Sequence, residues 1–212
     1  FVSTDFVYAP DQRRFPQSED GVFNTAGYGG NKRRCEEEFE LGDSHALAWT
    51  IFRPGHIYGP GSQLGCLPRH SRDPDLLGRL MRGEPLTLVG GGRFLQQPIL
   101  ARDLADLMLS VRGNLACAGQ IYGAAGPDII ESRTYFGIIA ELLGVPLTVE
   151  EIALDEFQAA HPEADNFLCH RFYDLSKLQT SGLLVPATPI RTGLREHVAS
   201  LRSPSDGPQH GE

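Results

Sequence analysis

A chain of 212 residues with 41% hydrophobic and 22% charged residues can bury a core as one large domain or two small ones. Its net charge of −8 argues against a nucleic-acid surface, which needs a basic patch, and no apolar run approaches the ~20 residues of a membrane span. Cys35, Cys66, Cys117 and Cys169 are scattered without a C-x-x-C pair, the pattern of free thiols in a reducing cytoplasm.

In chain order, Phe1–Tyr8 reads as a short strand with a polar centre, followed by a polar, proline-containing loop over 9–26. An amphipathic, proline-free segment from Tyr28 to Leu41 predicts a helix, with Arg33, Arg34, Glu36, Glu37 and Glu38 expected as a solvated, paired face. Leu47–Phe52 is an apolar strand ending at Arg53-Pro54, and Gly55 and Gly59-Pro60-Gly61 break the chain after it. A helix over Leu76–Met81 and a strand over Pro85–Val89 follow a charged loop, and Gly90–Gly92 reads as a turn. Leu104, Leu107, Met108 and Val111 recur at helical spacing within Asp103–Val111. Gln120–Ala124 is a strand, Ser132–Leu143 a helix capped by Ser132 and stopped at Gly144, and Leu147–Ile152 another strand. Short helices are expected over Leu154–Ala160 and Leu175–Ser181, a terminal helix over Ile190–Leu201, and a polar, disordered tail to Glu212. Alternating strands and helices make this an α/β protein.

The chemistry gathers near the start. Tyr28 and Lys32 lie four apart on one predicted helix, hence on one face. A phenol of pKa ~10 is a poor acid or base at neutral pH, and a neighbouring ammonium stabilises the phenolate so that it can exchange a proton. Thr4, in the first predicted strand, can bond the same substrate oxygen, and Asp5 beside it can assist proton transfer. Neither His161, His170 nor the His70, Asp73 and Asp75 group has metal-ligand spacing, so no metal is expected.

The order Ser3-Thr-Asp-Phe-Val-Tyr8, Tyr28-Gly-Gly-Asn-Lys32, Phe52-Arg-Pro-Gly-His-Ile-Tyr-Gly-Pro-Gly61, Pro98-Ile-Leu-Ala-Arg-Asp-Leu-Ala-Asp106 and Asp174-Leu-Ser-Lys-Leu178 resembles the extended short-chain dehydrogenase/reductase family, the NAD-dependent epimerase/dehydratase group. The resemblance covers roughly residues 1–200. It implies the C-terminal part of a Rossmann-like, doubly wound parallel sheet (1–61 and 95–114) with a small α/β substrate-binding lobe (62–94 and 115–201). The chain opens at Phe1 inside a motif and holds no glycine-rich turn between strand and helix, so the first βαβ units are expected to lie outside it.

By that resemblance Thr4, Tyr28 and Lys32 are catalytic, with Asp5 assisting. NAD or NADP is held by Tyr28, Lys32 and backbone groups of Pro54, Gly55, His56 and Ile57, the imidazole of His56 serving only as pocket wall. Dehydratases of the family carry Glu after the Asp; Phe6 stands there, which argues against sugar dehydration. Members that bind nucleotide sugars often carry Arg-Asp where this chain has Gln96-Gln97. A neutral amide cannot grip a diphosphate as a guanidinium does, so Arg93 or Arg102 are the candidates to compensate, with Thr4 and Gln96 also facing substrate. The expected function is hydride transfer at a hydroxyl or keto carbon of a sugar or similar metabolite, by an oxidoreductase or epimerase, and the family commonly dimerises through the helix carrying Tyr28. The alternative is a non-catalytic member of the fold, redox-sensing or RNA-associated like the chloroplast stem-loop-binding relatives. The acidic balance and the intact Thr4, Tyr28 and Lys32 count against it.

Overall fold

A computed structural model describes residues 1–42 and 47–202. The expected tail therefore falls outside the described residues except for Arg202, which is helical.

The opening segment is extended only briefly. Val2 bridges Phe52 in parallel, with Ser3 N donating to Phe52 O at 2.7 Å and Phe52 N to Phe1 O at 3.0 Å. The expected strand over Phe1–Tyr8 then gives way to a single 3₁₀ turn over Asp5–Val7. The reason is local: Thr4 Oγ1 accepts from Phe6 N at 3.3 Å, a side-chain cap that turns the chain in place of a ladder bond. Asn24 Nδ2 donates to Phe6 O and Tyr8 O at 2.8 and 3.2 Å and pins the turn from outside.

Helix α1 (Gly27–Leu41) follows, then β1 (Thr50–Pro54), β2 (Ile57–Tyr58), α2 (Leu76–Met81), β3 (Leu86–Val89), β4 (Leu95–Gln96), β5 (Ile99–Leu100) and α3 (Ala101–Leu109). The second half holds β6 (Gln120–Ala124), β7 (Ile130–Glu131), α4 (Ser132–Leu143), β8 (Val149–Ile152), α5 (Leu154–Ala160), α6 (Ser176–Gln179) and α7 (Ile190–Arg202). Three strand pairs are parallel: β1 with β6, β2 with β5, and β3 with β8; β4 and β7 pair antiparallel. Parallel pairing needs long crossovers, and helices supply them.

Two main cores result. Phe52, Ile99, Leu104, Leu107, Tyr122 and Leu178 fill the first, beneath α3 and α6. Tyr58, Leu76, Leu86, Tyr135, Phe136 and Leu194 are among the second, where α2, α4 and α7 meet. The register of β6, running Thr50 with Gln120 to Pro54 with Ala124, seats 120–124 in the first sheet. That differs from the expected division, which grouped it with the lobe from 115 onward; β1 is buried on Ile51–Pro54 and needs a hydrogen-bonding neighbour on each side.

Two smaller differences have plain causes. Ser132 does not cap α4: Glu131 holds the cap position, while Ser132 Oγ donates to Leu67 O at 2.7 Å and Phe94 O at 3.1 Å, tying the helix start to two loops. Gly144 does stop the helix, in the left-handed conformation at φ 74°. No described helix is long and apolar enough to cross a membrane.

Candidate active site

A cleft of about 520 Å³ lies between the Thr4–Phe6 turn, α1, the β1–β2 connection, the 63–72 loop and Arg171. Tyr28 and Lys32 both line it from α1. Their helix sits close to the turn because two glycines separate them: a Cβ on Gly29 would collide with the Phe6 carbonyl, and one on Gly30 with the Thr25 backbone. The two glycines of Tyr28-Gly-Gly-Asn-Lys32 therefore serve packing. Tyr28 is 62% exposed, open to a ligand in the cleft. Lys32 Nζ donates to Val2 O at 2.7 Å and lies 4.3 Å over the Phe1 ring, which orients the ammonium along the cleft floor. Thr4 is buried and lines the same space.

Pro54, Gly55, His56 and Ile57 form the facing wall at the end of β1, where open α/β sheets place their ligands. Two of their backbone groups are already engaged: Gly55 N donates to Ala124 O at 3.3 Å, and His56 O accepts from Ile99 N at 2.8 Å. The remaining groups are those that could meet a ligand. Burial, then the nearby charge of Arg72, pushes the His56 imidazole down to about 4, so it is neutral at physiological pH. It meets Tyr135 edge-on at 5.6 Å, as a wall residue would.

Asp5 lines the cleft but is 2% exposed. Arg13 Nη2 contacts its Oδ2 at 3.0 Å, and Arg171 Nη1 closes on the same oxygen. Burial alone would raise its pKa, but the guanidiniums of Arg171 and Arg13 outweigh it and hold the carboxyl below its usual range. A carboxylate so firmly ionised is a weak base, and the proton-transfer role expected of Asp5 does not fit this geometry.

Neither Arg93 and Arg102, the candidates to grip substrate phosphate, nor Gln96, expected to face substrate, lines the cleft. Arg93 is exposed after the Gly90–Gly92 turn. Arg102 is exposed on α3 and pairs with Glu196 at 3.2 Å. Gln96 is fully buried on β4 beside Arg171, and its neighbour Gln97 spends its amide on Gly126 O and Tyr173 N, each at 2.9 Å. The residues found there instead are Phe6, Gln63, Ser71, Arg72, Phe167 and Arg171. Phe6 belongs to the Ser3–Tyr8 motif and Arg171 lies three residues before Asp174-Leu-Ser-Lys177, but nothing in the sequence marked either as a cleft residue.

Glu36 corrects the solvated face expected of α1. It is fully buried, binding Arg53 Nε and Nη2 at 2.9 and 2.7 Å and Arg33 Nη1 at 3.0 Å. Arg53 continues to Tyr8 Oη at 2.9 Å and Glu19 O at 2.6 Å. One ion pair thus couples the helix carrying Tyr28 and Lys32 to the strand that ends in the facing wall.

Residues 1–123 match the model of the NAD dependent epimerase/dehydratase family. No curated protein matches the chain. Among solved structures it is similar to UDP-glucose 4-epimerase of Thermotoga maritima with UDP-glucose, at 18% identity and TM-score 0.74, covering 95% of this chain and 62% of that one. An epimerase of Methanothermobacter thermautotrophicus is similar at 18% identity and TM-score 0.74, covering 94% and 57%. UDP-glucuronic acid 4-epimerase of Bacillus cereus in complex with NAD is similar at 17% identity and TM-score 0.68, covering 94% and 59%. At these identities the likeness shows the fold, and the chain spans 57–62% of the length of these three structures.

Proposed function

This chain belongs to the NAD dependent epimerase/dehydratase family, and from that premise we propose that the complete protein is an NAD(P)-dependent oxidoreductase or epimerase acting on a hydroxyl or keto carbon of a sugar or similar metabolite. The observation that carries the reading is the meeting of Thr4, Tyr28 and Lys32 with the Pro54–Ile57 wall in one cleft. Tyr28 is the proton donor and acceptor at the substrate oxygen, Thr4 its hydrogen-bonding partner, and Lys32 the cation that favours the phenolate. The residues fit a nicotinamide cofactor: the cleft has room, the Pro54–Ile57 wall borders it, and Lys32 supplies a fixed donor. Such a cofactor supplies or takes the hydride, held by Lys32 and the wall. The similar Bacillus cereus structure contains NAD, which supports this choice of cofactor class. The α2, β3, β8 and α4 region is the substrate lobe in this reading.

The test is hydride transfer by the complete protein with NAD(H) and NADP(H) against keto and hydroxyl compounds, wild type beside Tyr28→Phe. General acid–base catalysis by one side chain contributes about 10²–10⁴-fold, and a loss of that size is expected. A Tyr28→Phe protein as active as wild type would refute the assignment. Net oxidation of cofactor marks a reductase; stereochemical inversion without net oxidation marks an epimerase.

A further inference from the structure

The charge balance of the cleft runs against that of the whole chain. The sequence carries net −8, yet Lys32, Arg72 and Arg171 line the cleft against the single carboxylate of Asp5. Asp5 is moreover shared with Arg13, whose side chain is 1% exposed, so two buried guanidiniums divide one counter-charge. Arg171 Nε is buried with no hydrogen-bond partner among the described residues. Arg72, exposed at the rim, makes no hydrogen bond or ion pair with any described residue; the neighbouring carboxylate of Asp73 is occupied by Arg79 at 3.1 Å and His70 at 3.5 Å. Surplus positive charge held partly out of water is costly unless an anion arrives to match it. A cleft lined by one sign of charge also concentrates ligands of the other.

The place of this surplus is informative. Arg171 closes on Asp5, the residue after Thr4, and stacks 4.3 Å from the Phe6 ring. Phe6 in turn meets Tyr28 edge-on at 6.2 Å. Arg171 is thus one aromatic ring away from the phenol. We propose that Arg171 and Arg72 form an anion subsite of the cleft, which takes a carboxylate or phosphate carried by the substrate near its reacting carbon. The proposal rests on the reading of this cleft as the site of a hydroxyl or keto substrate. Asp5 is then a positioning residue that presents Arg171.

The experiment titrates the complete protein, ¹⁵N-labelled at histidine, with inorganic phosphate and separately with malonate, at ionic strength held constant with chloride. The readout is the His56 imidazole signal. A saturable shift is expected, weakened at least ~10-fold in Arg72→Gln and largely kept in Arg72→Lys, since the guanidinium and the ammonium both carry the charge. Arg171→Gln is expected to abolish it; because that variant also strips Asp5 of a partner, the exposed Arg72 pair keeps the test decisive should it not fold. No saturable shift, or equal affinity in Arg72→Gln, overturns the subsite. Repeating the titration with saturating NAD⁺ identifies the source: unchanged phosphate affinity supports a substrate anion, and competition overturns it in favour of the cofactor's own phosphates. Tyr28→Phe should leave phosphate affinity intact. A protein that binds phosphate in this way but turns over no keto or hydroxyl compound supports the subsite while overturning the assigned activity.

Discussion

Glu36 and Arg53 form a two-point ion pair sealed from solvent, with Nε to Oε1 at 2.9 Å, Nη2 to Oε2 at 2.7 Å, and both side chains at most 2% exposed. Burial by itself would raise the Glu36 pKa, but its bonds to Arg53 hold it below the usual carboxylate range. The planar guanidinium suits this two-point geometry and also reaches Tyr8 and Glu19.

Removing one partner leaves a buried charge unmatched. Glu36→Gln should therefore destabilise the fold by about 3–5 kcal/mol, read as a lower urea midpoint. Replacing both residues by methionine should recover much of that loss. Equal losses in the single and double variants would show that the pair itself is not the source.

Gly29 tests the packing of α1. Alanine there must displace the Phe6 carbonyl or α1 itself, at a cost of about 1–3 kcal/mol or more, with a shift of the Tyr28 ring. Gly137, in the middle of α4, has nothing near its missing Cβ. Gly137→Ala should stabilise by about 0.5–1 kcal/mol. The two alanine variants thus move thermal midpoints in opposite directions, and a stable Gly29→Ala would contradict the close approach.

Lys32→Met deletes the donor to Val2 O while keeping an unbranched chain one atom shorter. A hydrogen bond from a charged group contributes roughly 1.5–3 kcal/mol, or about 10–100-fold. In the complete protein a rise of that size in the cofactor KM is expected, together with a fall in kcat. An unchanged KM with kcat alone reduced would confine Lys32 to tuning Tyr28.

His56 gives a pH signature. Its folded pKa is pushed down to about 4 from an ordinary 6.5. Between those values the unfolded chain binds the extra proton, so stability falls as pH drops from about 6.5 towards 4, by roughly 3 kcal/mol at most. Above 6.5 His56 adds no slope. Burial lowers His70 and His197 in the same direction, so His56→Gln should reduce the acid slope without abolishing it. An identical slope in the variant would place the titration elsewhere.

Much of this molecule can be read locally. The bounds of α2, β6, α4 and α5 follow from periodicity, Gly144 and His161-Pro162, because a helix or strand records its own length in nearest-neighbour preferences. The spacing of Tyr28 and Lys32, and of Arg53-Pro54-Gly55-His56, brings both walls of the cleft into view for the same reason.

Other features depend on which segments come together in space. Glu36 sits in a charged helical run that looks solvated until Arg53, seventeen residues on, is laid against it. Asp5 looks like a proton carrier until Arg171, 166 residues away, closes on it and takes its basicity. Arg93 and Arg102 look like phosphate ligands, yet their elements point them away from the cleft, while Arg72 and Arg171 come in from a loop and a bridge with no motif of their own. The chemistry of a single side chain is legible from its type and spacing; its charge state and its task are set by the partners that folding delivers.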